Sequence, residues 1–166
     1  MQTPESVTDL LRQIQAKLQL KGETIATAES CTGGLLAYLL TELAGSSAIY
    51  QGGVSSYANA VKVSLLGVAM DDIDRFGAVS APVARAMAEG VKLRTGSTYA
   101  LALTGIAGPG GGTKAKPVGT VFCGLATPAS TQVLPLMLQG DRQAIRWAAA
   151  VAALSYLDQA LSSKMD

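Results

Sequence analysis

Apolar residues first recur at helical spacing. Val7, Leu10, Leu11, Ile14 and Leu18 fall in phase on an otherwise polar segment, which predicts an amphipathic helix ending near Lys21-Gly22. Thr3-Pro4-Glu5-Ser6 predicts its start, with a capping residue, a proline at the first helical position and an acid in the first turn. Glu23 to Glu29, carrying Thr24, Ile25 and Thr27, predicts a first strand running straight into a helix over about Thr32 to Leu43, which offers Leu35, Leu36, Leu39, Leu40 and Leu43 to a core. Ala44-Gly45-Ser46-Ser47 is a turn by composition. Ala48 to Tyr57, with Ile49, Tyr50, Val54 and Tyr57, predicts a second strand, in which Gly52-Gly53 marks a bulge or a close approach to the backbone.

Short helices follow over Asn59 to Leu66, stopped by Gly67, and over Asp71 to Phe76. A longer helix opens at Ser80-Ala81-Pro82-Val83, with Ser80 as its expected N-cap and Val83, Met87, Val91 and Leu93 expected on its apolar side. Thr98 to Thr104 is almost wholly apolar, as a central strand covered on both faces requires. Val118 to Ala126 and Gln132 to Leu138 predict an antiparallel hairpin about Thr127-Pro128-Ala129-Ser130, and an alanine-rich helix closes the chain from about Asp141 to Leu161. Helices alternating with about five strands predict an α/β fold: a three-layer α/β/α domain with a mixed, mainly parallel sheet. With 166 residues and no repeat or linker, one domain over 1–166 is expected.

Composition narrows the chemistry. The chain is 49% hydrophobic and 15% charged with net charge +1, so neither nucleic acid nor an anionic membrane is suggested as a partner, while a small anion remains open. It contains no histidine, which removes Ser-His-Asp and Cys-His catalysis and the commonest metal ligand. Cys31 and Cys123 have no metal-site or disulfide spacing. With a polar N-terminus and no apolar run of membrane-spanning length, these features predict a cytoplasmic protein. The apolar composition is compatible with a homo-oligomer.

In open sheets of this kind ligands bind beyond the C-terminal ends of parallel strands. If the first three strands are parallel, Ser30, Tyr57 and Thr104-Gly105 emerge on one rim. Ser30 has two readings: a helix N-cap, or a nucleophile beside the N–H groups of Thr32, Gly33 and Gly34, which would steady an oxyanion. Without histidine a nucleophilic serine needs another base, and Lys62, made neutral by desolvation, is the lysine chosen, with Tyr57 relaying a proton or orienting Ser30. The alternatives are a solvated lysine and a packing tyrosine. Cys31 is a rival nucleophile and otherwise a small buried apolar residue. Glu29 is an acid, a base or a helix cap.

The glycine loop from Thr104-Gly105 through Gly108-Pro109-Gly110-Gly111-Gly112 to Lys116 permits a backbone whose N–H groups turn inward on an anion such as phosphate. It matches neither a P-loop nor a dinucleotide fingerprint. The alternative is a mobile surface loop on which Lys114 and Lys116 only add solubility. Arg142 and Arg146, one turn apart, either reach a phosphate or lie exposed.

Ala28-Glu29-Ser30-Cys31-Thr32-Gly33-Gly34, Gly45-Ser46-Ser47, Tyr57-Ala58-Asn59 with Lys62, Leu66-Gly67-Val68, Gly77-Ala78-Val79-Ser80, Thr104-Gly105-Ile106-Ala107-Gly108-Pro109 with Gly111-Gly112, and Lys116-Pro117-Val118-Gly119-Thr120 together resemble the CinA C-terminal domain family over about residues 5–162. Members of that family include nicotinamide-nucleotide amidases, which convert nicotinamide mononucleotide to nicotinate mononucleotide and ammonia in pyridine-nucleotide salvage. The resemblance implies an amidase without metal or cofactor, with Ser30 as nucleophile and Lys62 and Tyr57 assisting. It implies a nucleotide pocket drawn from Glu29, Thr32, Gly33, Gly34, Thr104, Gly105, Gly108, Gly111, Arg142 and Arg146. It also implies a three-layer fold whose mixed sheet has one antiparallel strand. Larger family members add an N-terminal domain resembling molybdopterin-binding proteins, and the functions of that half do not carry over. Two rival expectations are a catalytically silent nucleotide-binding or regulatory domain and a partner-binding domain with no small ligand.

Overall fold

The computed structural model describes residues 3–162. In chain order it forms α1 (Glu5–Lys21), β1 (Ile25–Glu29), α2 (Leu35–Thr41), β2 (Tyr50–Ser55), α3 (Asn59–Leu66), α4 (Met70–Phe76), α5 (Ala81–Thr95), β3 (Tyr99–Gly105), β4 (Thr120–Ala126), β5 (Thr131–Met137) and α6 (Arg142–Ser162), with a 3₁₀ turn at Ser46–Ala48. The sheet order is β2-β1-β3-β4-β5. β1 is parallel to β2 and β3, while β4 is antiparallel to both β3 and β5. β4 alone therefore opposes the other strands, and the predicted mixed, mainly parallel sheet is what the chain forms.

Alternation along the strands builds two unequal faces. Ile25, Tyr99, Leu101 and Leu103 join α1, α2 and α6 in one core. Ala26, Ala28, Ala100 and Ala102 face α5, Leu66 of α3 and Ile73 of α4 in the other. Small residues on this second face let helices come close. At Gly90 of α5 any Cβ would lie 1.9 Å from the Leu66 carbonyl oxygen, so glycine is what allows α3 to cross there. That crossing matters because α3 carries Lys62.

Several local expectations are corrected. Pro4, not a side-chain donor or acceptor, occupies the N-cap of α1, and the Thr3 hydroxyl bonds Glu42 instead. α2 begins at Leu35, not Thr32, because Gly33 and Gly34 both take positive φ. β2 stops at Ser55, leaving Tyr57 in the following loop. Its register skips Gln51, so the expected bulge is present, and a Cβ on Gly53 would strike the bonded Thr27–Tyr50 hydroxyl pair. Ser80 does take the N-cap position of α5 as expected, but its hydroxyl donates to Gly77 O and makes no capping bond to the helix. Leu93 is 85% exposed, whereas Val83, Met87 and Val91 are buried. The latter three lie four residues apart, and Leu93 stands about 200° round the helix from Val91. Among the described residues no helix is long and apolar enough to cross a membrane.

Candidate functional site

The chain leaves β1 for β2 on one side and returns as β3 on the other, which opens a crevice at the C-terminal end of β1. Ser30 sits there. Its N–H donates to Leu103 O at 2.9 Å and carries the β1–β3 ladder one residue past the strand. Alternation therefore sends Glu29 and Ser30 to opposite faces of the sheet, Glu29 towards α2 and Ser30 towards α3.

The Glu29 side chain is buried and accepts N–H bonds from Gly34 (3.1 Å), Leu36 (3.0 Å) and Ala37 (2.9 Å). It caps α2, satisfying donors that a helix start leaves open. This removes two expectations at once. Ser30 is not the cap of α2, and Glu29 is committed to the helix rather than to a ligand. The Gly34 N–H is also spent, and the Gly33 N–H is taken by Ser30 O at 3.1 Å. Of the three proposed oxyanion donors only the Thr32 N–H has no protein partner among the described residues.

On the other face, Lys62 is 1% exposed. Its Nζ lies 3.1 Å from Ser30 Oγ, 2.7 Å from Ser56 O and 3.3 Å from Tyr57 O. No carboxylate forms an ion pair with it among the described residues. Burial without a counter-charge pushes the Lys62 ammonium below its ordinary value, with the nearby Cys31 opposing weakly. The three acceptors suit both protonation states. An ammonium donates three N–H bonds; a neutral amine donates two to the carbonyls and turns its lone pair to the Ser30 hydroxyl. Cys31 is a poor rival nucleophile, because burial pushes its thiol up to about 11.

A cleft of about 270 Å³ opens over Ser30, lined also by Cys31, Tyr57, Gly105, Gly108, Gly111 and Arg142. Tyr57 is 63% exposed at its mouth. The Tyr57 hydroxyl accepts from Arg142 Nη2 at 3.0 Å and lies outside hydrogen-bond reach of Ser30, so the expected relay is not formed. What Tyr57 gives the Ser30–Lys62 pair is its main-chain carbonyl. Arg142 also donates through Nη1 to Gly108 O at 2.8 Å, tying the start of α6 to the glycine loop. Gly108 has φ +77°, a turn that other residues rarely adopt. The N–H groups of Gly108, Gly110 and Gly111 have no protein partner among the described residues, as an anion-binding backbone requires.

Thr32, Gly33, Gly34, Thr104 and Arg146 do not line this cleft. The Thr104 hydroxyl is buried on Ala78 O at 2.8 Å. Arg146 Nη2 donates to Thr32 O at 2.7 Å and holds the turn from outside the cleft. Lys116 is not a free solubilising charge, since its Nζ reaches Phe76 O and Val79 O. Sequence reasoning missed Ser56, whose buried carbonyl is the nearest partner of Lys62. No residue type announces a carbonyl, so no signal for it existed.

Comparison with known proteins agrees with this architecture. The family model described as the CinA C-terminal domain matches residues 7–161. A CinA-like protein of Anaeromyxobacter sp. (strain Fw109-5) is 49% identical over 157 residues, covering 95% of this chain and 38% of that protein. A CinA-like protein of Synechocystis sp. (strain ATCC 27184 / PCC 6803 / Kazusa) is 50% identical over 153 residues, covering 90% and 37%. The chain thus spans less than two-fifths of the length of these curated relatives. Among solved structures, the competence/damage inducible protein CihA from Agrobacterium tumefaciens superposes with a TM-score of 0.93 at 40% identity, over 98% of this chain and 99% of that one. A CinA superfamily protein from Escherichia coli gives 0.90 at 29% identity, over 96% and 94%. With a sequence match running almost end to end and the same fold, this chain belongs to the CinA C-terminal domain family.

Proposed function

We propose that this domain is a serine amidohydrolase that converts nicotinamide mononucleotide to nicotinate mononucleotide and ammonia. The observation that carries the reading is the Lys62–Ser30 pair: a buried amine without a counter-charge, 3.1 Å from a hydroxyl at the end of a parallel strand. The substrate comes from the family resemblance, and the glycine loop with Arg142 supplies groups suited to its phosphate.

In this mechanism neutral Lys62 takes the Ser30 proton as Oγ attacks the carboxamide carbon. Both remaining N–H bonds of the amine stay on Ser56 O and Tyr57 O, so its lone pair keeps its direction. The carbonyl oxygen gains the negative charge, and the cleft-lining backbone N–H groups without a protein partner among the described residues are those of the glycine loop. The Lys62 ammonium then gives its proton to the departing amide nitrogen, the C–N bond breaks, and ammonia leaves an acyl-serine. Water, deprotonated by Lys62, attacks the ester; nicotinate mononucleotide departs and Ser30 regains its proton.

Purified protein given nicotinamide mononucleotide is expected to form ammonia and nicotinate mononucleotide in equal amounts. Release no faster than that of a Ser30→Ala control would sink the enzyme reading and favour a domain that binds the nucleotide without turning it over.

A further inference from the structure

The last residue of α4 and the three after it present four successive carbonyls, and a side chain takes each one. Lys116 Nζ donates to Phe76 O at 2.6 Å and to Val79 O at 2.7 Å. The Ser80 hydroxyl donates to Gly77 O and the Thr104 hydroxyl to Ala78 O, both at 2.8 Å. Thr104 lies at the end of β3 and Lys116 shortly before β4, so they are the two flanks of the glycine loop. Both flanks are clipped to the same short piece of backbone.

The Lys116 end is itself held. Thr113 N–H donates to Lys116 O at 2.8 Å, and Lys116 N–H donates to the Thr113 hydroxyl at 3.0 Å. No carboxylate pairs with Lys116 among the described residues, so its charge is spent on the two carbonyls. Between the flanks, the N–H groups of Gly108, Gly110 and Gly111 face no protein acceptor. The loop is thus pinned on one side and left open on the side of the cleft.

We propose that Lys116 is a positioning residue: by clipping the far flank of the glycine loop to residues 76–79, it sets the loop's open backbone N–H groups against the bound substrate. Its effect on catalysis rests on the amidase reading above, whereas the clip does not. A lysine that acts this way governs substrate affinity and leaves the reactive pair alone.

Two measurements test it together. Lys116→Met keeps the length and apolar contacts of the stem but donates nothing, and Lys116→Arg restores donors. With nicotinamide mononucleotide, Lys116→Met is expected to raise KM about tenfold while kcat stays within about threefold, and Lys116→Arg to recover most of the KM. In the substrate-free protein, amide hydrogen exchange over residues 106–119 is expected to quicken in Lys116→Met and to change little elsewhere. A wild-type KM, or unchanged exchange in the loop, overturns the proposal. If the unsubstituted protein does not release ammonia, the amidase reading falls and the exchange measurement still decides the clip. Where Lys116→Met does not fold, Lys116→Gln carries the same two measurements.

Discussion

Glu29 and Lys62 are both buried ionisable side chains at the same strand end, Glu29 as its last residue and Lys62 reaching from α3 to the next one, Ser30, yet they stand in opposite kinds of surroundings. Glu29 meets three backbone N–H groups at the start of a helix, and both its oxygens are taken up by them. Lys62 meets two carbonyls and one hydroxyl, which satisfy its hydrogen bonds without supplying a counter-charge, and burial lowers its proton affinity. The first arrangement commits a group to the start of a helix. The second leaves a group able to change state, which proton transfer requires. Period-two alternation across a single peptide bond puts the helix cap and the proposed nucleophile on opposite faces of the sheet.

The difference breaks most sharply at Lys62. Lys62→Met keeps the volume and removes the proposed base, and turnover of nicotinamide mononucleotide is expected to fall about 10³-fold, within the range for loss of a general acid–base group. Retained turnover would make Lys62 a structural lysine, like Glu29 in kind. The pH dependence adds a signed test. The folded-state value lies below the ordinary 10.5. Between the two values the unfolded chain holds a proton that the folded one lacks, so stability rises with pH across that window. The burial penalty is present in full below the folded-state value and is relieved as pH climbs towards 10.5. Urea unfolding of the unsubstituted protein relative to Lys62→Met should therefore shift in favour of the unsubstituted protein over that window. A difference flat in pH would show that burial does not discharge the amine.

At Glu29 the expected effect is on stability. Glu29→Gln keeps one acceptor oxygen and turns an NH₂ group onto backbone donors, which should cost about 2 kcal/mol in urea unfolding. Activity per folded molecule should stay within about tenfold, because the reactive pair sits on the other face. A stable but inactive Glu29→Gln protein would mean that the carboxylate takes part in the chemistry.

Much of this arrangement was legible before the fold was known, because it follows from the strand-end rule. Ser30, Tyr57 and the glycine loop share a rim since β1, β2 and β3 are parallel, and short runs of β-branched and apolar residues revealed those strands. The absence of histidine pointed to a lysine, and Lys62, the one chosen, is the lysine beside Ser30. The division of labour within the turn was hidden. An acid before Gly33-Gly34 is equally apt as base, ligand or cap, and only the direction set by alternation makes Glu29 the cap. Thr104, Arg146 and Lys116 carried the right chemistry for a ligand but spend their donors on carbonyls of neighbouring segments. Such partners are set by tertiary packing and leave no mark in residue type. Leu93 failed for a simpler reason, since two residues after Val91 lies the opposite side of a helix.

Tyr57 gives the finest test of the same distinction, because it lies between the two kinds. Its carbonyl helps to orient Lys62, while its hydroxyl is held by Arg142 at the mouth of the cleft. Tyr57→Phe leaves the carbonyl and ring in place and removes only the hydroxyl, so it separates positioning from proton relay. Since the hydroxyl contacts Arg142 and not Ser30, the expected change is a rise in KM of about threefold with kcat unaltered, about 0.7 kcal/mol. A phenol that relayed the serine proton would instead cost at least about 10²-fold in kcat. That larger loss would place Tyr57 with Lys62 among the groups that change state, and would mean that Arg142 releases the hydroxyl when substrate arrives.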